Sequence, residues 1–264
     1  MRPVHITLTT IPPRAEDIAP TLQSLLDQKA KIEAVHLFLP KKYRRKDFDG
    51  YKIPKVPKGV ELHMVEEDLG PATKILPALK LFKDQTTPII FCDDDKIYDP
   101  GWAQRFIDYK QNNQNVAICE SSLDVRTLEA RKYRADNPKK YRLRRLMSLG
   151  RWKPTKNPPI GDHLIFEGVG GVLVEPRFFE DDVYNIPDIL WTVDDVWLSG
   201  HVTKNGYKIR HNAAGPQTEP TPTSNHHKFA LHDLVYKNHN RYAADMACVE
   251  YYRKNHGIWI TDPV

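Results

Sequence analysis

Long apolar runs are absent from this sequence. No stretch approaches the ~18 consecutive apolar residues of a membrane-spanning helix. The first residues read as a strand rather than as the apolar centre of a signal peptide. Cysteine is scarce: Cys92, Cys119 and Cys248 are scattered, odd in number and nowhere in a CxxC pair. That usage argues against a disulfide framework or a cysteine-based zinc site and predicts a reducing, cytoplasmic setting. No dinucleotide fingerprint is present, because Gly168, Gly170 and Gly171 have the wrong spacing and no helix opens inside the run FEGVGGVLVEP. Repeats of solenoid period are also missing.

What remains is a chain of 264 residues, long enough to bury a core without disulfide support. It is read as one large α/β domain. Its 21 prolines predict rigid loops and argue against a helix bundle. The net charge is +5, and much of it lies between Arg126 and Lys156, RTLEARKYRADNPKKYRLRRLMSLGRWKPTK. Such a run attracts an anionic membrane surface or a phosphorylated substrate. Its interleaved tyrosines and tryptophan also suit nucleic acid, and a solvated excursion explains it equally well.

The chain is organised around Pro88 to Trp102, PIIFCDDDKIYDPGW. Ile89 to Cys92 form a short apolar run typical of a fully buried strand. Asp93, Asp94 and Asp95 follow at once. Three carboxylates at the end of a buried strand raise one another's pKa unless a cation neutralises them. A hard divalent cation, which takes carboxylate oxygens and substrate phosphates together, is the simplest neutraliser. The carboxyl end of a strand is also where open α/β sheets bind ligands. Upstream, Val4 to Thr9 and Glu33 to Pro40 read as strands with a helix over Glu16 to Gln28 between them, a βαβ unit with parallel strands. Lys41 to Gly59 is a basic excursion, and Val60 to Val65 is a third strand. A helix is expected to open at Thr73 and Lys74, where its N-terminus suits an anion. Downstream, Asn115 to Glu120, VGGVLV and Tyr207 to His211 are expected strands. Asp194 and Asp195 open a helix, where acidic residues suit the dipole. Leu231 to Lys254 is expected to be a terminal helix.

The order of these motifs resembles the nucleotide-sugar glycosyltransferases of the GT-A fold. The acidic triplet resembles their DXD motif, and TVDDVWLSG resembles their xED motif with aspartate in the glutamate position. The resemblance implies a single Rossmann-like GT-A domain over 1–264 with a central, mostly parallel sheet flanked by helices, 1–120 being its nucleotide-sugar-binding half and 121–264 its acceptor-binding half. It implies a metal-dependent, inverting sugar transfer from a nucleoside-diphosphate sugar, UDP-sugar favoured, to a glycan or lipid-linked acceptor. Asp95 would bind Mn²⁺ or Mg²⁺ directly, and Asp93 through water or at the ribose. Thr9, Thr10, Arg14, Asp68, Lys74 and Asp94 would line the nucleotide site. His226 or His227 would add a metal ligand. Gly170, Gly171, Asp194 and Trp197 would shape the acceptor site, and Asp195 would be the general base. A carboxylate in reach of a sugar hydroxyl can take its proton as the new bond forms. The basic segment would supply a peripheral contact with the inner membrane surface. A sugar-nucleotide nucleotidyltransferase is the near alternative, although TTIPPR lacks the expected glycines. A non-catalytic carbohydrate- or nucleic-acid-binding protein leaves both acidic clusters unexplained, so nucleic acid is an unfavoured partner.

Overall fold

The computed structural model describes residues 3–48, 50–82, 84–149, 163–216, 218–221, 236–237 and 239–261. Seven strands form the central sheet, in spatial order β10, β6, β9, β4, β1, β2, β3. They are β1 (Val4–Thr9), β2 (Ile32–Pro40), β3 (Val60–Val65), β4 (Ile89–Phe91), β6 (Val116–Cys119), β9 (Val172–Val174) and β10 (Lys208–His211). Two small ribbons pair β5 (Lys96–Ile97) with β11 (Glu219–Pro220) and β7 (Ser122–Asp124) with β8 (Leu164–Phe166). β9 runs antiparallel to β4 and β6. The other neighbouring strands of the central sheet are parallel. β9 lies beyond residue 120 in sequence yet sits between β4 and β6, so the two expected halves share one sheet.

Side chains alternate between two apolar layers, as the period of a strand dictates. Ile6, Leu8, Leu37 and Ile90 pack with α2 (Ala19–Leu26) and α4 (Trp102–Asn112) on one face. Phe38, Ile89, Phe91 and Val172 pack with α3 (Leu76–Leu81), α7 (Asp194–Lys204) and α8 (Arg241–His256) on the other. β4 is fully buried, as its unbroken apolar run predicts. Its carboxyl end therefore delivers the acidic triplet from a rigid base.

Prolines account for the main differences from the expected elements. The helix expected over Glu16 to Gln28 shortens to α2, and a separate single turn, α1 (Pro12–Ala15), precedes it, each with proline in its first positions. Arg14 thus lies on a helical turn rather than in a loop. No helix opens at Thr73. Gly70–Lys74 is a 3-10 turn, and α3 starts at Leu76 with Pro77 in its first turn, because proline lacks the N–H needed in a helix interior. The terminal helix begins at Arg241 rather than Leu231. The Asn240 side chain accepts a hydrogen bond from the Ala243 N–H at 2.9 Å, capping the free amides there. Leu231, Leu234 and Val235 lie outside the described residues.

The basic segment forms α5 (Val125–Asp136) and α6 (Pro138–Met147) over its described part. Val125, Leu128 and Ala130 of α5 are buried, whereas α6 buries none of its residues. No helix among the described residues is long and apolar enough to cross a membrane.

Candidate functional site

A pocket of about 280 Å³ opens at the carboxyl ends of β1 and β4, near the lower end of the roughly 300–1,000 Å³ of small-molecule sites. It is lined by Thr9, Thr10, Arg14 and the three aspartates at those strand ends, by Tyr43, Arg45 and Phe48 from the excursion after β2, and by Trp191, Asp194, Asp195 and Arg241.

The triplet divides into three environments. Asp94 is buried and committed to the scaffold. It accepts hydrogen bonds from Thr10 Oγ1 at 2.5 Å and Arg14 Nη1 at 2.8 Å, and its backbone carbonyl accepts from Thr21 Oγ1 at 2.9 Å. Burial raises its pKa, against the opposing pull of Arg14. Asp93 accepts from Lys74 Nζ at 2.7 Å. Asp95 keeps only distant cations, Arg14 at 3.6 Å and Lys96 at 3.7 Å, and its side chain is about a quarter exposed at 24%. Asp93 is more exposed, at 33%, but is already bonded to Lys74, so Asp95 is the carboxylate of the three without a close cation among the described residues.

Lys74 joins the two acidic motifs. Its ammonium lies 2.7 Å from Asp93, 2.7 Å from Asp194 and 3.7 Å from Asp195. Burial works against the charge, yet these carboxylates hold the lysine protonated well above its usual range. Asp194 is held below the usual carboxylate range: Lys74 and Arg241 outweigh its burial. Asp195 is pushed well above that range by burial and by Asp194 beside it. Its Oδ1 accepts from the Gly168 N–H at 3.1 Å. Among the described residues no donor reaches its Oδ2.

Asp68 braces the pocket lining at Trp191. Its carboxylate accepts from the Arg44 N–H at 2.7 Å and the Gly70 N–H at 2.8 Å, and its carbonyl accepts from Trp191 Nε1 at 3.0 Å. Gly70 has φ +61, and a Cβ there would stand 2.5 Å from the Trp191 carbonyl oxygen, so the turn needs glycine.

No protein-family model matches the sequence, and no curated protein matches it. Solved structures do resemble it. S. aureus TarS 1–349 in complex with UDP-GlcNAc aligns with TM-score 0.52 at 10% identity, over 97% of this chain and 68% of that one. The fold is GT-A. S. aureus TarS 1–349 without ligand in its name gives 0.49 at 14% identity, over 83% of this chain and 60% of that one. The mannosyltransferase PcManGT from Pyrobaculum calidifontis, in complex with GDP-Man and Mn²⁺, gives 0.45 at 14% identity, over 81% and 56%. The chain thus matches less than two thirds of the length of these last two. At such identities the likeness is one of fold.

Within this GT-A sheet, Thr9, Thr10, Arg14, Asp68, Lys74, Asp93, Asp94, Asp95, Asp194 and Asp195 converge on one pocket. Three expected acceptor residues, Gly170, Gly171 and Trp197, stand outside the pocket lining, and Asp194 is turned to Lys74 within it. Gly170 and Gly171 pack against Ser121 and the Trp102 ring rather than the pocket, and the Gly170 carbonyl accepts from Trp102 Nε1 at 2.8 Å. Gly168 takes the place beside the charges, where a Cβ would lie 2.7 Å from Asp93. Trp197 is buried in the core and donates to the Val183 carbonyl at 2.9 Å, because Asp194 and Asp195 occupy the pocket side of α7's first turn. Asp194 itself is 4% exposed and serves Lys74. His226 and His227 lie outside the described residues. Sequence reading missed Tyr43, Phe48, Trp191 and Arg241. The aromatic residues of the Lys41 to Gly59 excursion were the available signal for Tyr43 and Phe48.

The donor set suits a hard cation. Asp95 offers a partly exposed carboxylate, with Asp93 two residues before it. One or two carboxylates are what a divalent ion needs when substrate phosphates complete its shell.

Proposed function

We propose that this protein transfers a sugar from a nucleoside-diphosphate sugar, UDP-sugar favoured, to a hydroxyl-bearing glycan or lipid-linked acceptor, with inversion at the anomeric carbon. One observation carries the reading: a partly exposed carboxylate for a cation, Asp95, and a basic carboxylate, Asp195, share one pocket at the carboxyl ends of the strands of a GT-A fold. The UDP-GlcNAc named with the TarS structure supports the donor class.

Asp95, with Asp93, would hold Mn²⁺ or Mg²⁺. When bound, that ion neutralises the diphosphate as it leaves. Arg14 and Arg241 add positive charge around the same pocket. Tyr43, Phe48 and Trp191 offer apolar faces to the nucleoside. Asp195 takes the proton of the acceptor hydroxyl on Oδ2 while the acceptor oxygen bonds to the anomeric carbon. The bond from that carbon to the diphosphate breaks, and the nucleoside diphosphate leaves with the bonding pair. A raised pKa makes Asp195 a stronger base than an exposed aspartate. The Gly168 N–H fixes its other oxygen, so the base is aimed before substrate arrives. No protein nucleophile is required, and a single displacement inverts the centre.

The acceptor is proposed to be lipid-linked because α6 presents Leu143, Leu146 and Met147, exposed by 57%, 74% and 78%, beside Lys139, Lys140, Arg142, Arg144 and Arg145. Basic and apolar groups on one unburied helix suit an anionic membrane surface. The test of the function is transfer from radiolabelled UDP-sugars to a lipid extract with Mn²⁺. Label reaching the extract with wild-type protein but not with Asp195→Asn supports the reading. Label transfer unaffected by Asp195→Asn removes it.

A further inference from the structure

A second cluster of ligating side chains lies away from the pocket, on the α3-side face of the sheet. His36 on β2 and Glu61 and His63 on β3 bring three atoms together. His36 Nδ1 is 3.0 Å from His63 Nε2 and 3.2 Å from Glu61 Oε2, and His63 Nε2 is 3.6 Å from the same carboxylate oxygen. Among the described residues it is the one group of at least three His, Cys, Asp or Glu whose ligand atoms all lie within 4.8 Å. His5, next to this group on β1, is four residues before the pocket residue Thr9, a run of about 13 Å along an extended strand.

The geometry points to a transition-metal site of the Zn²⁺ class, with His36 Nδ1, His63 Nε2 and Glu61 Oε2 as ligands and water in the fourth position. Ligands about 2.0–2.1 Å from tetrahedral zinc stand roughly 3.3 Å from one another, and the three measured edges bracket that separation. Two imidazoles and one carboxylate also match the preference of such ions over Mg²⁺. The lone pairs of these atoms repel at this distance unless a proton or a cation lies among them.

The surroundings hold the ligands in place. His36 Nε2 is 3.0 Å from His5 Nδ1, so a proton shared there leaves His36 Nδ1 free to coordinate, the usual arrangement for a metal-bound histidine. Phe38 stacks on His63 with ring centroids 4.8 Å apart and an interplanar angle of 21°. Phe82 meets His36 edge-on at 5.5 Å. His36 is buried, whereas the Glu61 side chain is 57% exposed, which leaves a path for the ion and its water. Because β3 is the edge strand of the sheet, the ion would clip that edge to β2.

The experiment is Zn²⁺ titration of the metal-stripped full chain against a chromophoric chelator, with excess Mg²⁺ present to occupy carboxylate sites. Wild-type protein should bind one Zn²⁺ that Mg²⁺ does not displace, with a rise in melting temperature. His63→Ala, at a half-buried position, and Glu61→Gln, at an exposed one, should each weaken binding by at least about tenfold, and His5→Phe by about tenfold. Co²⁺ in place of Zn²⁺ should show the visible absorption of a tetrahedral ion in wild type, absent in His63→Ala. No Zn²⁺ binding by wild type, or the same affinity in folded His63→Ala and Glu61→Gln, overturns the assignment.

Discussion

Lys74 ties the two acidic motifs together at the scale of single residues. Three carboxylates surround its ammonium, and removing the cation leaves them uncompensated in a buried place. Lys74→Met should cost about 3–5 kcal/mol of stability, read by urea denaturation; a midpoint equal to that of wild type would show that the carboxylates are neutralised otherwise. Asp195 gives a kinetic prediction. Its pKa is raised by burial and by Asp194, and a base must be unprotonated to act. The transfer rate should therefore rise with pH through a limb lying above the ordinary carboxylate range. Asp195→Asn should lower kcat by about 10²–10⁴-fold while nucleotide affinity stays unchanged. A flat profile across that range would remove the base assignment. The acidic residues were legible in sequence because they directly follow a buried strand or open a helix. Lys74 was not legible as an ion-pair partner. Its charge stood beside an expected helix start, and nothing local reveals that Asp194, far along the chain, folds against it.

Elements obey rules that single residues do not display. α7 and α8 approach closely at Gly200, where an added Cβ would fall within the Tyr252 ring, and Tyr252 Oη donates to the Trp197 carbonyl at 2.7 Å. Gly200→Ala should destabilise the protein by about 1–3 kcal/mol through overpacking, measured by thermal denaturation; an unchanged melting temperature would mean that the helices shift apart freely. On α6, reversing Arg142, Arg144 and Arg145 to glutamate should lower the partition constant for phosphatidylserine vesicles, read by co-sedimentation, by about 10²-fold or more, each basic residue contributing about 1 kcal/mol near such a surface. Equal sedimentation of the two forms would make α6 a solvated face. Most expected strands were read within a residue or two from apolar patterning, as Val4–Thr9 shows, but VGGVLV shortens to Val172–Val174 because Gly168–Gly170 forms a 3-10 turn. Helix starts were misplaced where proline sets the first turn, from Glu16 to Ala19 with Pro20 and from Thr73 to Leu76 with Pro77.

At the scale of the whole molecule, the parallel order of β1, β2 and β3 follows from a strand–helix–strand opening, and it was legible for that reason. The antiparallel insertion of β9 between β4 and β6 was not, since a three-residue apolar strand carries no mark of its partners. That insertion brings Gly168, and through α7 Asp195, against the end of β4, so the pocket belongs to the sheet as a unit. The central claim is that this pocket binds a nucleoside diphosphate through a divalent ion at Asp95. The direct measurement is the melting temperature of wild type and Asp95→Asn with UDP and with GDP, each with Mn²⁺ and with EDTA, and with Mn²⁺ alone as the reference. A ligand at one hundred times its Kd adds about 2.7 kcal/mol, roughly 5–10 °C for a chain of this size. The account predicts such a rise for wild type with UDP and Mn²⁺, absent in EDTA and absent in Asp95→Asn. No rise with either nucleotide, or a rise that survives EDTA and the substitution, would contradict it.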